Sequence, residues 1–404
     1  MGNTTGEDLG LKTILFGVTG GIAAYKAPLI ARGLICSGFE VHAVVTENAR
    51  HFVTPLTLQT ITGRPVHADM FPAVSPDAHE VEHIALADRA DLMLIAPATA
   101  NCIAKLAHGI ADDLLTCIAL ATTAPLLICP SMNVNMLSHK ATQDNLETLR
   151  GRGVYVLEPA VGELACGWEG AGRLPEPERI VAEVKKLLFP KDLEGISLVV
   201  TCGPTCEDID PVRFISNRST GKMGSALTEA ACLRGAEVKV ISGPVNVDYA
   251  PWAHVVQVRS ATEMLHAVQD NLKDLDVLIM AAAVADYVPS AYREAKIKKG
   301  DKLHSLDLTS SPDILSTIRP DKGEKFFVGF AAETDNLTDF AKEKMIKKGL
   351  DMIVANRVGQ AGSGFASDTN SGVILSPEGI LDDFEQVEKD ELAHKILDFL
   401  RERL

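Results

Sequence analysis

Between Asp210 and Gly224 the chain reads Asp-Pro-Val-Arg-Phe-Ile-Ser-Asn-Arg-Ser-Thr-Gly-Lys-Met-Gly, and Arg213, Asn217, Arg218, Ser219, Thr220 and Lys222 crowd into it. Cationic and amide side chains beside glycine suit the holding of a phosphate or carboxylate. The apolar run Ser197–Cys202 precedes this stretch, and Met223, Ala226, Leu227, Ala230 and Ala231 follow it at helical spacing. The local order is therefore strand, polar loop, helix. Ser219 or Thr220 is expected to cap the helix, and an ordinary polar strand-to-helix connection is the plainer alternative.

Further along, the apolar run Val277–Ala283 ends in Val284-Ala-Asp286. An aspartate at a strand's carboxyl end suits a substrate hydroxyl or a magnesium ion, and equally suits a turn. Lysines gather at Lys296-Ile-Lys-Lys299 with Lys302, and at Lys342, Lys344, Lys347 and Lys348. Lys344 and Lys348 are one helical turn apart. Such runs form either a solvated face or a cationic seat for a triphosphate.

The first half offers neutral groups instead. Thr19-Gly20-Gly21 follows the strand pattern Lys12–Val18 and opens a helix that ends near Ser37-Gly38, before a second strand at 39–45. Glycine there allows close backbone approach to a phosphate, although the full G-x-G-x-x-G is missing. The strand Asp91–Ala96 opens into Pro97–Asn101 and a long helix carrying Leu106, Ile110, Leu114 and Leu115, and Pro125–Cys129 opens into Pro130–Met136. In parallel sheets ligands sit outside the carboxyl ends of strands, so Thr19, Thr46, Thr99, Asn101, Met132 and Asn133 are expected to share one crevice. His83, at the edge of an apolar run, reads as readily as a structural or surface residue as a base. Cys166 lies in the glycine-spaced stretch 161–172, which can close over a ligand; a small buried cysteine is the alternative.

These residues need scaffolds. At 404 residues the chain exceeds one ordinary core. The helix pattern Pro175–Leu188 and the linker at 189–195 put a boundary between 1–189 and 190–404. Strands at Glu237–Ser242, Lys325–Ala331 and Gly372–Leu375 alternate with helices at Ala261–Leu272 and around Leu392, Ile396 and Leu400. The β-α-β rhythm on both sides predicts an α/β chain of two doubly wound domains. A net charge of -15 argues against a general nucleic-acid surface. No apolar run of about 18 residues occurs, and Glu7 and Asp8 interrupt any leader, so a cytoplasmic protein without membrane partners is expected. The eight cysteines make no C-x-x-C pair, so most are expected to be reduced core thiols rather than zinc ligands.

Taken together, Gly17-Val-Thr-Gly-Gly-Ile-Ala-Ala-Tyr-Lys26, His83-Ile-Ala-Leu86, Ala96–Asn101, Pro130–Met136, Ala165-Cys-Gly167, Asp210–Gly224, Ala281–Tyr287, Lys296–Lys299 and Val328–Thr334 fall in a specific order. In that order the chain resembles the family of bifunctional enzymes of coenzyme A biosynthesis that fuse phosphopantothenoylcysteine decarboxylase to phosphopantothenate cysteine ligase. The resemblance covers nearly the full length. It implies an N-terminal flavodoxin-like or Rossmann-like flavoprotein domain of the cysteine-decarboxylase type and a C-terminal Rossmann-like ligase domain. FMN would sit between subunits on Thr19, Gly20, Gly21, Thr46, Ala98, Thr99, Asn101 and Met132. His83 would be the base, Asn133 would hold the substrate carboxylate, and Cys166 would return a proton. Oxidation of the thiol to a thioaldehyde places a C=S group beta to the carboxylate, which gives the departing CO2 an electron sink.

For the second half the resemblance implies attack of the 4'-phosphopantothenate carboxylate on CTP, then transfer of the acyl group to the amine of L-cysteine. Lys296 would support formation of the acyl-cytidylate and Asn217 would act on it. Nucleotide contacts would come from Ala281, Ala282, Asp286, Lys296, Pro312, Asp313, Ile314, Leu315, Phe330, Lys344 and Lys348. Mg2+ would bridge the triphosphate, with its protein ligands unassigned. The implied assembly is a homododecamer of trimeric flavin domains and dimeric ligase domains. Ser131, Val134 and Thr220 depart from the common motifs without touching a chemical role. A flavin-binding regulatory protein, a decarboxylase with a degenerate ligase half and an NAD-type oxidoreductase are the rival classes. The joint presence of His83, Asn133, Cys166, Asn217, Lys222, Asp286 and Lys296 opposes the first two, and the missing dinucleotide fingerprint opposes the third.

Overall fold

The computed structural model describes residues 12–70, 82–163, 167–298, 305–333, 336–357 and 367–404. The chain divides into two compact units at Phe189/Pro190.

The first unit contains, in chain order, β1 (Thr13–Val18), α1 (Ala27–Cys36), β2 (Glu40–Val45), α2 (Pro55–Thr62), α3 (Glu82–Arg89), β3 (Leu92–Ala98), α4 (Ala100–His108), α5 (Leu114–Ala121), β4 (Leu126–Pro130), α6 (Val134–Ser138), α7 (Lys140–Gly151), β5 (Tyr155–Val156), β6 (Ala160–Glu163), β7 (Glu169–Arg173) and α8 (Pro177–Leu188). Strands β1 to β5 pair in parallel in the order β2-β1-β3-β4-β5. Both faces are covered, which is why these strands are apolar along their length. Ile14, Phe16 and Val18 point to a core shared with α1, α2 and α8. Leu15, Met93 and Ile95 point to the opposite core, with α3, α4, α5 and α7.

The helix expected to run from Asn101 through Leu115 is two helices. Gly109 takes a left-handed φ of 69° and ends α4, and Asp113 starts α5 by accepting from Thr116 N at 2.9 Å while its own N–H reaches Thr116 Oγ1 at 3.3 Å. Leu114 and Leu115 stay on the buried face, so the apolar period runs across the break and conceals it.

The second unit contains β8 (Ser197–Cys202), β9 (Cys206–Asp208), β10 (Phe214–Ser216), α9 (Lys222–Leu233), β11 (Glu237–Ser242), β12 (His254–Gln257), α10 (Ala261–Asn271), β13 (Val277–Met280), β14 (Tyr287–Pro289), β15 (Leu308–Ser310), α11 (Ile314–Ile318), β16 (Phe326–Glu333), α12 (Leu337–Lys348), β17 (Met352–Arg357), β18 (Thr369–Ser376), β19 (Gly379–Glu388) and α13 (Lys389–Arg401). Its main sheet runs β12-β11-β8-β13-β16-β17-β18-β19. The first six strands are parallel, in the order of a doubly wound dinucleotide-type sheet. β18 and β19 add an antiparallel edge. Leu392, Ile396 and Leu400 of α13 are fully buried beside Leu227 and Ala230 of α9.

Arg234 closes this packing. It is 2% exposed and bridges Asp192 at 2.7 Å and Asp398 at 2.8 Å. Its Nη1 also donates to the carbonyl of His394 at 3.2 Å. Burial, reinforced by repulsion from Arg234, pushes the His394 imidazole from 6.5 down to about 4. The unfolded chain takes up a proton there near its ordinary value while the folded unit does not. His394 therefore costs nothing above 6.5, and stability falls as the pH drops from 6.5 towards about 4. We expect a loss on the order of 2 kcal/mol across that window. Faster hydrogen exchange of α13 amides at about pH 5 than at about pH 7, after correction for intrinsic rates, reads it. His394→Gln should remove most of the difference.

Among the described residues no helix is long and apolar enough to cross a membrane. The described cysteines are all free, and five of them are buried. Burial pushes the Cys202 thiol up to about 11, which keeps it protonated and inert.

Candidate functional site

In the first unit the strand order reverses direction between β1 and β3, and the loops leaving those two strands meet there. Thr19, 2% exposed, joins them: its Oγ1 donates to the Pro97 carbonyl at 2.8 Å and accepts from Thr99 N at 3.0 Å. Thr46 follows β2, and its N–H reaches the Val18 carbonyl at 3.1 Å. Thr99 caps α4 through Cys102 N, with Asn101 exposed in the first turn. Gly20 packs so closely on Asn48 that an added Cβ would lie 2.4 Å from the Asn48 side chain, and Gly21 abuts Thr99. The loop after β4 joins the group because Ser131 N reaches the Ala98 carbonyl at 3.1 Å. Asn133 caps α6 by accepting from Asn135 N at 2.9 Å.

His83 is half-buried in the first turn of α3. A crossover helix runs antiparallel to its strands, so this turn faces the end from which Thr19, Thr99 and Met132 emerge. Cys166 lies outside the described residues. The hairpin β6–β7 that brackets it is fixed by a feature the sequence reading missed. Met132 N donates to the Gly172 carbonyl at 3.0 Å, and an added Cβ at Gly172 would sit 2.2 Å from the Met132 oxygen. Gly172 also has φ 143°, outside the usual range of L side chains. Gly172→Ala is therefore expected to detach the hairpin from the loop at 131–133. Loss of hydrogen-exchange protection at Met132, with unchanged protection in β1 and β3, checks it. Buried Lys26 holds the segment that follows the hairpin by donating to Glu176, at the start of α8, at 2.8 Å.

The second unit is organised around a cavity of about 580 Å³ at the strand reversal between β8 and β13. The strand exits are laced together: Ala283 N reaches the Gly203 carbonyl at 2.9 Å, and Ala285 N reaches Thr205 Oγ1 at 3.0 Å. Asn217 Nδ2 donates to the carbonyls of Ala283 and Val284, both at 3.0 Å, which fixes the way its amide faces. Ser311 N meets the Asp286 carbonyl at 2.9 Å, so the loop that starts α11 is held against the β13 exit.

Ala281, Ala282, Asp286, Pro312, Asp313, Ile314, Leu315, Phe330, Lys344 and Lys348 all line this cavity. Lys344 Nζ donates to the Phe330 carbonyl at 2.8 Å, and Lys348 pairs with Asp313. Burial would raise the Asp313 carboxyl, but hydrogen bonds from Lys348 and Ser316 hold it below its ordinary value. Lys296 is not in the lining; it is exposed beside Ile297, whose N–H and carbonyl are tied to Asp210 and Arg213.

Two readings of the loop change. The helix start is Gly221, not Ser219 or Thr220. Gly221 takes a left-handed φ of 79°, which glycine adopts freely, and a Cβ there would also come within 2.9 Å of the Val245 side chain. Arg213 is committed to the loop itself, since it bonds buried Asp210 at 3.1 Å and the Ile297 carbonyl at 3.0 Å. Of Arg213, Arg218 and Lys222, Lys222 alone lines the cavity. Asn356, Asn370 and Lys389 line it as well and were not foreseen, because they sit on β17, β18 and α13. No grouping of three or more metal-ligating side chains occurs among the described residues.

Comparison with known proteins adds to this geometry. Residues 2–189 match the family described as Flavoprotein, and residues 193–404 match the family described as DNA/pantothenate metabolism flavoprotein C-terminal domain. The chain is 44% identical to the coenzyme A biosynthesis bifunctional protein CoaBC of Bacillus subtilis, over 96% of each chain. It is 42% identical to the protein of that name from Escherichia coli, over 96% of this chain and 95% of that one. A solved C-terminal domain of a CoaBC protein superposes with a TM-score of 0.46 and 36% identity, covering 53% of this chain and 97% of that one.

Proposed function

The chain belongs to the family of bifunctional coenzyme A biosynthesis proteins, and from that premise we propose how its two units divide the work. The second unit joins L-cysteine to 4'-phosphopantothenate at the expense of CTP, taken as its magnesium complex. The first unit removes CO2 from the 4'-phosphopantothenoylcysteine so formed. The two activities make the chain a bifunctional ligase and decarboxylase.

The observation that carries the ligase reading is the cavity at the β8/β13 reversal, where Lys222, Lys344, Lys348 and Lys389 meet Asn217 and Asp286. In a chain of net charge -15, cations gathered inside one cavity suit a polyphosphate. Lys344 and Lys348 approach the nucleotide from α12, and Asp313 holds Lys348 in place. Asn217, oriented by the Ala283 and Val284 carbonyls, acts on the acyl-cytidylate. Lys296 lies in an exposed segment, and its part in forming the acyl-cytidylate rests on the family pattern alone.

In the first unit the donor set is neutral and clustered at a strand reversal: the hydroxyls of Thr19, Thr46 and Thr99, the amides of Asn101 and Asn133, and the main chain of Gly20 and Gly21. That set fits FMN. When bound, FMN supplies reversible two-electron oxidation. His83 takes the substrate thiol proton, Asn133 holds the carboxylate, and Cys166 returns a proton to the product. Exposed Ile22, Tyr25 and Leu29 in this unit, and Phe214, Tyr287 and Leu308 on the small sheets of the other, suit burial between copies of the chain. We read the assembly as a homododecamer on the family pattern, in the cytoplasm.

The test is a visible spectrum of the purified protein, followed by pyrophosphate and CO2 release with 4'-phosphopantothenate, cysteine, CTP and Mg2+. A flavin spectrum with both products is the expected result. Flavin with neither product would move the chain to the regulatory flavin-binding class, and pyrophosphate without CO2 would leave a ligase joined to a silent flavin unit.

A further inference from the structure

The main sheet of the second unit carries a helix layer on each face. α11 and α12 pack on one, through Ile314, Leu315 and Met345, and α9 and α13 pack on the other, through Leu227 and Leu392. The nucleotide contacts at 312–315, Lys344 and Lys348 belong to the first layer. Where the cavity meets the second layer it is lined by three neutral side chains that no substrate has yet been given: Met223 of α9, Asn356 of β17 and Asn370 of β18. Strand pairing brings the two amides together. Asn356 stands opposite Gly372, and Asn370 lies two residues before Gly372 on the same face of β18. Gly372 has no side chain to part them, and a Cβ there would lie 2.1 Å from the Ala355 carbonyl oxygen.

Asn370 Nδ2 donates to Asn356 Oδ1 at 3.3 Å and lies 3.9 Å from Met223 Sδ. An asparagine amide has two donor protons on nitrogen and an acceptor oxygen. The contacts made here occupy the nitrogen of Asn370 and the oxygen of Asn356. Among the described residues, Asn356 Nδ2 and Asn370 Oδ1 have no protein partner. The pair therefore presents one donor and one acceptor side by side on the cavity wall. Asn370 is only 4% exposed, and an acceptor held in so dry a place gains more from a ligand's proton than it would in open water.

Resting on the ligase reading of this cavity, we propose that Asn356 and Asn370 form the seat of the amino-acid substrate, L-cysteine, with Asn356 Nδ2 donating to its carboxylate and Asn370 Oδ1 accepting from its amino group. An α-amino acid carries those two groups on one carbon. Its carboxylate only accepts and its ammonium only donates, which is the complement of what the wall offers. A hydroxyl of the other substrates also both donates and accepts, but Met223 favours the amino acid: its thioether is a soft, polarizable neighbour that suits a thiol. Cysteine acts only after pyrophosphate has left. Its seat therefore shares the cavity with the acyl-cytidylate rather than with the intact triphosphate.

The experiment is steady-state ligation by the full chain, with CTP, 4'-phosphopantothenate and cysteine varied in turn, beside single-turnover pyrophosphate release without cysteine. Asn370→Leu should raise the KM for cysteine by about 10-fold or more, the effect of losing a hydrogen bond to a charged group. The KM values for CTP and 4'-phosphopantothenate should stay within about twofold, and pyrophosphate should still form when cysteine is left out. Asn356→Ala should act in the same direction, and its half-buried position keeps the test open if Asn370→Leu does not fold. In a wild type that ligates, an unchanged KM for cysteine in the folded variants overturns this proposal alone. So does a rise confined to the KM for CTP or for 4'-phosphopantothenate, which would give the amides to that substrate instead. A wild-type chain that forms no ligated product overturns the ligase reading and this proposal with it.

Discussion

Replacing His83 with asparagine is expected to lower CO2 release by about two to four orders of magnitude while pyrophosphate release from CTP continues at the wild-type rate. Asparagine preserves a polar side chain of comparable reach at the first turn of α3 but cannot take and return a proton near neutral pH. The half-buried position tolerates the exchange, so the fold around it should persist. Selectivity follows from architecture. Each unit has its own pair of cores on the two faces of its own sheet, and His83 belongs to α3, which packs in the first unit. A flavin spectrum unchanged in the variant, with CO2 formation from supplied 4'-phosphopantothenoylcysteine lost, is the supporting outcome. Loss of both activities would count against separate sites, and normal CO2 release would remove His83 from the chemistry.

The complementary result is expected from Asn217→Asp. Asn217 Nδ2 spends both its protons on the Ala283 and Val284 carbonyls. An ionised aspartate has no proton to donate, so it would face two carbonyl oxygens and add negative charge to a cavity that must take a polyphosphate. Ligation should fall by about 10²-fold or more, the scale on which one oriented donor at a reacting centre is felt. Decarboxylation of supplied 4'-phosphopantothenoylcysteine should be untouched. Pyrophosphate and CO2 assays on the same preparation read both at once. A ligation rate within about threefold of wild type would take Asn217 out of the acyl-cytidylate step.

The two predictions differ in how far the sequence alone could argue them. Asn217 belongs to a polar loop just before a helix and after the strand Ser197–Cys202, so a strand-loop-helix setting was visible as local pattern, although the small hairpin of β9 and β10 inside it was not. His83 had no such neighbours. Its position depends on α3 entering from the carboxyl end of a parallel sheet, which in turn depends on β3 pairing with β1 across a sequence separation of 78, as Thr19 and Pro97 mark.

Local chemistry also misled where two local rules competed. An apolar period through Leu106, Ile110 and Leu114 hid the stop at Gly109, because Leu114 of the second helix is buried in the core that Leu106 packs against, although Ile110 between them is exposed. Serine and threonine before α9 looked like caps, yet the chain enters the helix through Gly221 in a left-handed conformation that favours glycine, against the side chains of Val245 and Cys202. Arg213 has the charge to hold an anion, but buried Asp210 claims it. In each case a tertiary neighbour decided between options the sequence leaves open.

What the sequence by itself determined is therefore the set of elements and the strand exits that carry polar groups. Period, turn glycines and apolar strand runs act over a few residues, and backbone sterics read them directly. A parallel β-α-β run in each unit follows from that level, whereas a shared site for Asn217, Asp286 and the lysines of α12 came from the family resemblance. Only the tertiary structure decided what completes each site: Gly172 against Met132 in the first unit, and Asn356, Asn370 and Lys389 beside Lys222 in the second. Those residues sit on strands and helices far apart in the chain, and nothing in their local surroundings distinguishes them. Strand order brings β17, β18 and α13 next to α9, and the charge balance of the cavity exists only once they are there.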